Sequence, residues 1–416
     1  MARKVFLSIL GTGKYEPCVY VKDGKPMTET KFIQQALLEY LQSENIWTIN
    51  DKAVVFLTAK ARETHWSELE QAISKMGIAH DDVDIEDGND NDQMWSIFET
   101  IFNQLEENDE LYLDITHSFR YLPMLLIVLT NYAKLLKNCS VKAIYYGNFQ
   151  VKEEQKPIMD LLPLSALQDW TSAVSDYLQY GQIKKLSELS KSSLSPILKD
   201  PATRSESSSR LNKFISSLDK AVSYRLTCRG KNVVDGSEAD YLNKTAEEIK
   251  DVAIVPFRPV FEKIKESLPD FGTKQNAANC IKAAKWCLRN KMFQQSITLL
   301  EEGIKDILSS KTIPYSIVNK CIKIKTDNLD ETKWDVDDDK MPQERILIRN
   351  VVNCNSGIWS NKDFIDTMRN ISDLRNDYNH AGFRENPRSV QKIIVNIEEC
   401  LDSIEQILKD EGYLDC

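Results

Sequence analysis

Four short runs rich in β-branched and aromatic residues alternate with longer amphipathic stretches over residues 1–150, and this alternation restricts the fold most strongly. The runs are KVFLSIL (Lys4–Leu10), AVVFLTA (Ala53–Ala59), ELYLDIT (Glu110–Thr116) and VKAIYYGNF (Val141–Phe149). Nearly continuous apolar strands are typical of parallel sheets that are covered on both faces. Because helical patterns separate the strands, the sequence predicts an α/β Rossmann-like domain over residues 1–160.

Strand patterns stop near residue 161, and the rest of the chain predicts helices. We assign residues 161–270 to a helical connecting region and residues 271–416 to an all-α C-terminal domain. The polar segment Lys191–Arg210 contains two prolines and predicts an exposed connection between helices. Amphipathic periodicity is strongest over residues 276–308 and 389–408, which predicts long helices there.

Charge and cysteine content exclude several classes of protein. A net charge of −10 argues against a protein that coats nucleic acid non-specifically, although it leaves room for a small nucleotide or RNA site. No apolar run is long enough for a transmembrane helix, so we expect no membrane segment. Nine cysteines occur without a CxxC pair, and this odd number favours reduced thiols and a cytoplasmic protein.

The acidic segment DDVDIEDGNDND (Asp81–Asp92) does not fit a calcium-binding loop. Counted from Asp82, Gly88 falls one position too late, and the position of the final glutamate is occupied by Gln93. We therefore expect a solvated loop here, and we predict no metal site or cofactor in the chain.

Polar residues crowd the carboxyl ends of three predicted strands. GTGK (Gly11–Lys14) follows the first strand, Thr58 ends the second, and THS (Thr116–Ser118) follows the later one. Ligands of doubly wound sheets bind at this edge, so these groups should converge on one crevice. The predicted ligand-binding residues are Gly11, Thr12, Gly13, Lys14, Thr58, Asp114, Thr116, His117, Ser118 and Arg120.

Known phosphate motifs do not explain GTGK. A Walker A loop requires glycine where this chain has Ser8 and a hydroxyl residue where it has Tyr15, and a dinucleotide loop requires glycine at Glu16. Taken alone, GTGK is also compatible with an ordinary tight turn. The later loop has a second feature that suits a phosphate, because Ser118 can cap the following helix, which has Pro123 in its first turns.

A second polar cluster, Arg375, Asn376 and His380, lies near the predicted end of a helix that Gly382 and Pro387 terminate. Five residues of α-helix turn by about 500°, so Arg375 and His380 diverge by about 140° and are separated by about 7.5 Å along the axis. One copy therefore makes a poor active site, whereas two copies across a two-fold axis would supply two histidines and two arginines.

Histidine can move protons at neutral pH and arginine can stabilise a charged phosphorane, which suits RNA cleavage without a metal. On residue types alone, a structural interpretation is also open. In it Arg375 caps the helix, while Asn376 and His380 only form hydrogen bonds with the backbone.

Both clusters resemble signatures of one protein family. DITHSFRYLP is similar to the Asp-x-Thr-His-Gly signature of CARF domains, the Rossmann-fold sensors of CRISPR systems, with Ser118 in place of the glycine. RNDYNH resembles the Arg-x(4–6)-His signature of HEPN ribonucleases, including the polar residue after the arginine. A CARF domain followed by a HEPN domain is the order found in the cyclic-oligoadenylate-activated ribonucleases of type III CRISPR systems.

The resemblance implies a metal-independent endoribonuclease that cleaves single-stranded RNA in antiviral defence. Two subunits would share one cyclic oligoadenylate, bound by Gly11–Gly13 and Thr116–Ser118, and Arg375 and His380 would be catalytic with the assistance of Asn376. An even-numbered ring matches a two-fold axis, so we expect cyclic tetra-adenylate first and cyclic hexa-adenylate second.

Two alternatives stay open at this stage. The chain could be a nucleotide-binding sensor with a catalytically inactive helical domain that signals to a partner. The N-terminal domain could also degrade its own ligand slowly, with His117 and Lys14 assisting.

Overall fold

The computed structural model describes residues 2–117, 121–192, 204–249, 258–268, 270–276, 278–329, 342–383 and 385–414. The chain divides into two compact units, Met1–Gln168 and Asp169–Cys416. The predicted domain boundaries at residues 160 and 270 stay predictions.

The described part of the first unit is built on a mostly parallel sheet of eight strands in the order β3-β2-β8-β7-β6-β1-β4-β5. The strands are β1 (Lys4–Leu10), β2 (Val19–Lys22), β3 (Lys25–Pro26), β4 (Lys52–Leu57), β5 (His80–Asp84), β6 (Glu110–Asp114), β7 (Ser140–Gly147) and β8 (Gln155–Asp160). β1 is parallel to β4 on one side and to β6 on the other. The chain thus moves outward in both directions from β1, and the topological switch point lies at its carboxyl end.

Helices cover the sheet, and each face has its own apolar core. The helices are α1 (Ile33–Ser43), α2 (Ala59–Ala61), α3 (Ser67–Lys75), α4 (Asn91–Asn103) and α5 (Leu122–Leu136), with a π-helical turn at Arg62–Trp66. Phe6 of β1 belongs to the core that contains Leu37 of α1, whereas Leu7 belongs to the core that contains Leu126 of α5. Burial of both faces explains why β1 reads as an uninterrupted apolar run.

All four predicted strands are confirmed, with small shifts at their ends. The acidic segment was partly mispredicted, because residues 80–84 form the edge strand β5 and not a loop. An edge strand requires only backbone pairing, here with β4, so acidic side chains can remain on it. Arg62 donates to Asp84 at 2.7 Å and pairs with Asp82 at 2.5 Å, which offsets part of their charge.

The described residues of the second unit form helices and no strand. After α6 (Leu162–Tyr180), which crosses the boundary between the units, come α7 (Lys184–Ser192), α8 (Arg204–Leu226), α9 (Gly230–Asp235), α10 (Ser237–Glu248), α11 (Arg258–Ser267), α12 (Ala278–Arg289), α13 (Phe293–Ile307), α14 (Tyr315–Asp327), α15 (Pro342–Val352), α16 (Lys362–Asn379) and α17 (Val390–Asp410). The prediction of an α/β domain followed by a helical region is confirmed.

The expected connection at residues 191–210 was wrong at both ends, because α7 continues to Ser192 and α8 begins at Arg204. The central part of that segment lies outside the described residues. Serines that read as a linker here precede an amphipathic stretch in which Phe214 and Leu218 are fully buried, and the helix extends backward from that packed stretch.

Four helices position the second polar cluster. α13 packs against both α12 and α16, and α17 packs against α16. Leu300 of α13, Leu374 of α16 and Leu401 of α17 are buried. Within the described chain, no helix combines the length and apolar character that a membrane span requires.

Candidate functional site

A cavity of about 1040 Å³ opens at the carboxyl ends of β1, β4 and β6 in the first unit. The structure brings seven of the predicted ligand-binding residues together along its wall: Gly11, Thr12, Gly13, Lys14, Thr58, Thr116 and His117. Asp114 does not line the cavity, and Ser118 and Arg120 lie outside the described residues. The crevice expected from the strand ends is therefore present.

A buried hydrogen-bond chain fixes the floor of the cavity. Asp114, only 1% exposed, accepts the Ser8 hydroxyl at 2.7 Å and the backbone N–H of Thr116 at 3.0 Å. Gln34 of α1 donates to the Ser8 hydroxyl oxygen at 3.0 Å. Burial raises the pKa of the Asp114 carboxyl, whereas the hydrogen bonds from Ser8 and Thr116 act to lower it. Asp114 thus positions the loop after β6 from within the protein.

The loops after β1, β6 and β7 contact one another directly. The Thr116 hydroxyl accepts the backbone N–H of Gly147 at 2.8 Å, which joins the ends of β6 and β7. A Cβ at Gly11 would lie 3.0 Å from the His117 carbonyl oxygen and 2.8 Å from the Tyr15 hydroxyl. A side chain at this position would require Tyr15 and the His117 carbonyl to shift, which gives the first glycine of GTGK a packing role.

Four aromatic rings form a column along these loops. Ring centres of His65 and Tyr15 are 4.6 Å apart, those of Tyr15 and His117 are 4.4 Å apart, and those of His117 and Phe149 are 5.3 Å apart. His65 Nε2 lies 2.8 Å from the Gly13 carbonyl oxygen and so holds the first loop. Tyr15, His117 and Phe149 also line the cavity.

Sequence analysis missed Tyr15, His65 and Phe149 as members of this site. Each follows the carboxyl end of β1, β4 or β7, and that position was the available signal. Tyr15 was considered only as a departure from a phosphate motif, and Phe149 was placed in a strand that ends earlier, at Gly147.

The surroundings of His117 favour the neutral form of its imidazole. Burial lowers the pKa of its imidazole, and His65 adds to this effect, while the Asp114 charge opposes it. Nε2 of His117 is buried without a hydrogen-bond partner among the described residues. A buried polar atom of this kind is costly to leave unpaired, so a ligand group that reached Nε2 would gain a hydrogen bond there.

The cavity is not strongly basic. Lys14, Lys31 and Lys156 line it together with Glu16, Glu29 and Glu154. Lys31 pairs with Glu68 at 2.5 Å, and Lys156 donates to the carbonyls of residues 151 and 153. Lys14 is exposed and forms no ion pair within the described chain. It is therefore the lysine best placed to meet a phosphate without first losing another partner.

The second polar cluster lies where the sequence places it. Arg375 and Asn376 lie in the last turns of α16, and exposed His380 is its C-terminal cap. The backbone of Gly382 is left-handed, with φ of +73°, which ends the helix as expected. No described contact joins Arg375 to His380, in agreement with their expected divergence along one helix.

Two carboxylates from α13 hold Arg375. Its Nη1 donates to Glu302 Oε1 at 2.7 Å and lies 2.9 Å from Glu301 Oε2, outside hydrogen-bond geometry. Lys305 pairs with Glu301 at 2.8 Å and with Glu302 at 3.2 Å. These contacts use Nη1, which leaves the other guanidinium nitrogens for a phosphate. Sequence analysis missed these three residues, although Glu301 and Lys305 are spaced i, i+4 on a predicted helix.

Comparisons with known proteins agree with the geometry of the first unit. Residues 5–150 match the family model of the CARF domain of the CRISPR system endoribonuclease Csx1. The N-terminal unit resembles a CARF domain. The chain is also 25% identical over 238 residues to the CRISPR-associated protein MJ1674 of Methanocaldococcus jannaschii. The aligned region covers 52% of this chain and 32% of that protein.

The chain thus spans about a third of the length of the curated relative it matches. The resemblance first seen in DITHSFRYLP is confirmed for the CARF-like part of the chain. The HEPN resemblance of the C-terminal domain stays a prediction.

Close packing of the two loops makes Gly11→Ala destabilising. The new methyl group must displace backbone at His117, so we expect the free energy of unfolding to fall by about 1–3 kcal/mol. Gly13→Ala is the matched control, because its Cβ would meet only Tyr15 at an ordinary 3.8 Å. Urea denaturation of both variants measures the difference. Equal stability of the two would show that the loops do not pack as described.

Burial lowers the pKa of the His117 imidazole. We expect its ring to titrate below the ordinary histidine pKa of about 6.5 in an NMR titration assigned with His117→Gln. The unfolded chain then binds more protons than the folded one below about pH 6.5, so wild type loses stability relative to His117→Gln as pH falls through that range. A midpoint at or above 6.5 would contradict the described burial.

Proposed function

We propose that this chain is a ribonuclease that a cyclic oligoadenylate activates as an ancillary component of type III CRISPR defence. The carrying observation is the cavity at the switch point of a CARF-like sheet, followed in the same chain by an Arg375–His380 pair at a helix end. The first feature suits a messenger and the second suits phosphodiester chemistry. RNA would be bound in one narrow groove, so the net negative charge of the chain is no obstacle.

The cavity offers the groups that a ring of adenylates requires. Phe149, at the end of the aromatic column and 42% exposed, presents an aromatic face on which adenine can stack. Backbone N–H groups of the Gly11–Gly13 turn and the ammonium of Lys14 suit phosphate oxygens. His117 Nε2 supplies one further polar contact. A ring on a two-fold axis meets the same loops twice, so cyclic tetra-adenylate is the favoured activator and cyclic hexa-adenylate the second.

The outer face of α5 supports a homodimer. Met124, Val128, Tyr132 and Leu135 follow one another at helical spacing, and their exposed fractions are 69%, 56%, 45% and 81%. A continuous apolar stripe of this kind marks an interaction surface. α5 begins five residues after His117, so a two-fold contact along it would bring two cavities close to one axis.

Cleavage would proceed through the RNA's own 2′-hydroxyl. His380 takes the 2′-hydroxyl proton as the bond from the 2′-oxygen to phosphorus forms, and a protonated histidine from the second subunit donates to the departing 5′-oxygen. The phosphorus–5′-oxygen bond breaks and leaves a 2′,3′-cyclic phosphate. Nitrogens of Arg375 that do not contact Glu302 stabilise the charged phosphorane, and Asn376 orients the substrate. These steps require no metal ion.

The alternative of a sensor with an inactive helical domain has one observation in its favour. Arg375 is held by Glu301 and Glu302, and no described contact links it to His380. If this arrangement persisted in the dimer, the arginine would be a structural residue of the α13–α16 contact. The two functions differ in whether any messenger produces RNA cleavage that depends on His380.

A messenger titration of RNA cleavage separates the two clusters. His380→Ala should lower turnover by ~10²–10⁴, the usual range for loss of a general acid or base, with unchanged messenger affinity. Arg375→Ala should behave similarly. His117→Ala should instead require more messenger and recover partly at saturation, because a ligand shifts a switch only through its differential affinity.

His80→Ala, which removes a histidine from the edge strand β5, is the matched control and should cleave as wild type does. Normal cleavage by His380→Ala at saturating messenger would show that His380 is not catalytic, and the sensor function would then be favoured.

The dimer prediction concerns the α5 stripe. Leu135→Asp places a charge on it, so sedimentation should show a dimer dissociation constant at least about tenfold higher, since burying an unpaired charge is costly. Ile49→Asp, at a side chain that is 92% exposed far along the chain from α5, should leave the dimer intact. A Leu135→Asp dimer as tight as wild type would place the interface elsewhere.

A further inference from the structure

A buried arginine in the helical unit has no acidic partner among the residues that the structure describes. Arg225 of α8 is 3% exposed. Its guanidinium lies 4.7 Å from the ring centre of Phe271 and 4.5 Å from that of Trp286. Nη1 is buried, and no described residue accepts a hydrogen bond from it. The cation thus lies against two aromatic rings, and its Nη1 has no acceptor in the described chain.

Such an arrangement is costly unless something pairs with the charge. Burial of an ionised group without hydrogen bonds costs folding free energy on the order of the whole stability of a small domain. Burial also lowers the pKa of Arg225, yet a guanidinium remains protonated in proteins. Rings of Phe271 and Trp286 offset part of this cost through their negative faces, but they accept none of the N–H groups in the guanidinium plane.

Arg225 lines a small cavity between α8, α9 and α10, and other polar groups converge there. Tyr224, Asn232, Glu238 and Asn243 line it together with apolar side chains that include Phe271. Lys220 pairs with Glu238 Oε1, whereas Glu238 Oε2 is buried without a hydrogen-bond partner among the described residues. Two residues that line the cavity thus carry a buried unpaired atom each, a donor on Arg225 and an acceptor on Glu238.

Hydrogen bonds hold the cavity walls in place. Asn279, fully buried, accepts from the Gly272 N–H at 2.8 Å and donates to the carbonyls of Gly272 at 3.0 Å and Val233 at 3.2 Å. Gly236 joins α9 to α10 with φ of +77°, and a Cβ there would lie 2.5 Å from the Lys274 carbonyl oxygen. These contacts lock the loop that carries Phe271 against the α9–α10 corner, so the cavity is a formed feature of the fold.

We propose that this cavity binds a compact phosphate-type oxyanion against Arg225. A guanidinium fork matches two oxygens of such an anion. A hydrogen phosphate also carries one O–H, which can donate to Glu238 Oε2, whereas a simple carboxylate or chloride has no donor to offer. The cavity has a volume of about 30 Å³, which holds two or three water molecules. A single phosphate group suits a cavity of this size.

Stabilisation of the full-length chain by added anions tests this site, because a ligand of the folded state raises the unfolding midpoint. Inorganic phosphate, glycerol 3-phosphate, acetate and chloride are compared at equal ionic strength, and affinity for phosphate is measured by calorimetry. We expect one phosphate per chain and a higher midpoint with phosphate than with acetate or chloride. A response to glycerol 3-phosphate as well would assign the terminal group of a phosphate monoester as the ligand; a response to phosphate alone would assign the free ion.

Two variants make the test specific to the cavity. Arg225→Met should weaken phosphate binding at least tenfold, while Arg229→Met, which removes an exposed arginine four residues away, should bind as wild type does. If Arg225→Met does not fold, Glu238→Gln should still weaken phosphate binding relative to acetate. Equal stabilisation of wild type and Arg225→Met would show non-specific anion effects. No preference of wild type for phosphate would show that water alone solvates Arg225, and either result overturns the proposal.

Discussion

The carboxylate of Asp114 ties the first unit together at the point where a ligand would bind. It accepts hydrogen bonds from Ser8 of β1 and from the backbone of Thr116 after β6, and Gln34 of α1 completes the chain through Ser8. β1 and β6 are neighbours, and the switch in strand order falls beside them. A buried acid at this place is unfavourable unless each oxygen is paired, so the loops after both strands are fixed relative to one another.

That fixation explains why the other loops close around the same crevice. Thr116, held by Asp114, accepts the N–H of Gly147 and so brings the end of β7 to the cavity. Gly11 then approaches the His117 carbonyl so closely that a Cβ there would require the carbonyl to shift. The aromatic column stands on this framework. The positions of its four rings are therefore determined by the sheet and by the buried Asp114 carboxylate together.

Much of this architecture could be predicted from the sequence because the buried strands carry their own signal. β1 and β6 are apolar on both faces, and polar residues at their ends indicate the crevice directly. The edge strand β5 was missed because its pairing involves backbone groups that leave no pattern in acidic side chains. Contacts of Arg375 with Glu301 and Glu302 were missed for a related reason. A pair of glutamates on an amphipathic helix looks like a solvated face until α13 packs on α16.

Cleavage of RNA under the control of a messenger tests the account most directly. Purified chain is incubated with a fluorescent single-stranded RNA in EDTA, and cyclic tri-, tetra- and hexa-adenylate are added separately. The account predicts cleavage in EDTA that rises strongly with cyclic tetra-adenylate, less with cyclic hexa-adenylate and not with the three-membered ring. Cleavage that is the same with and without every ring, or that is absent with all three, would contradict a ligand-switched ribonuclease.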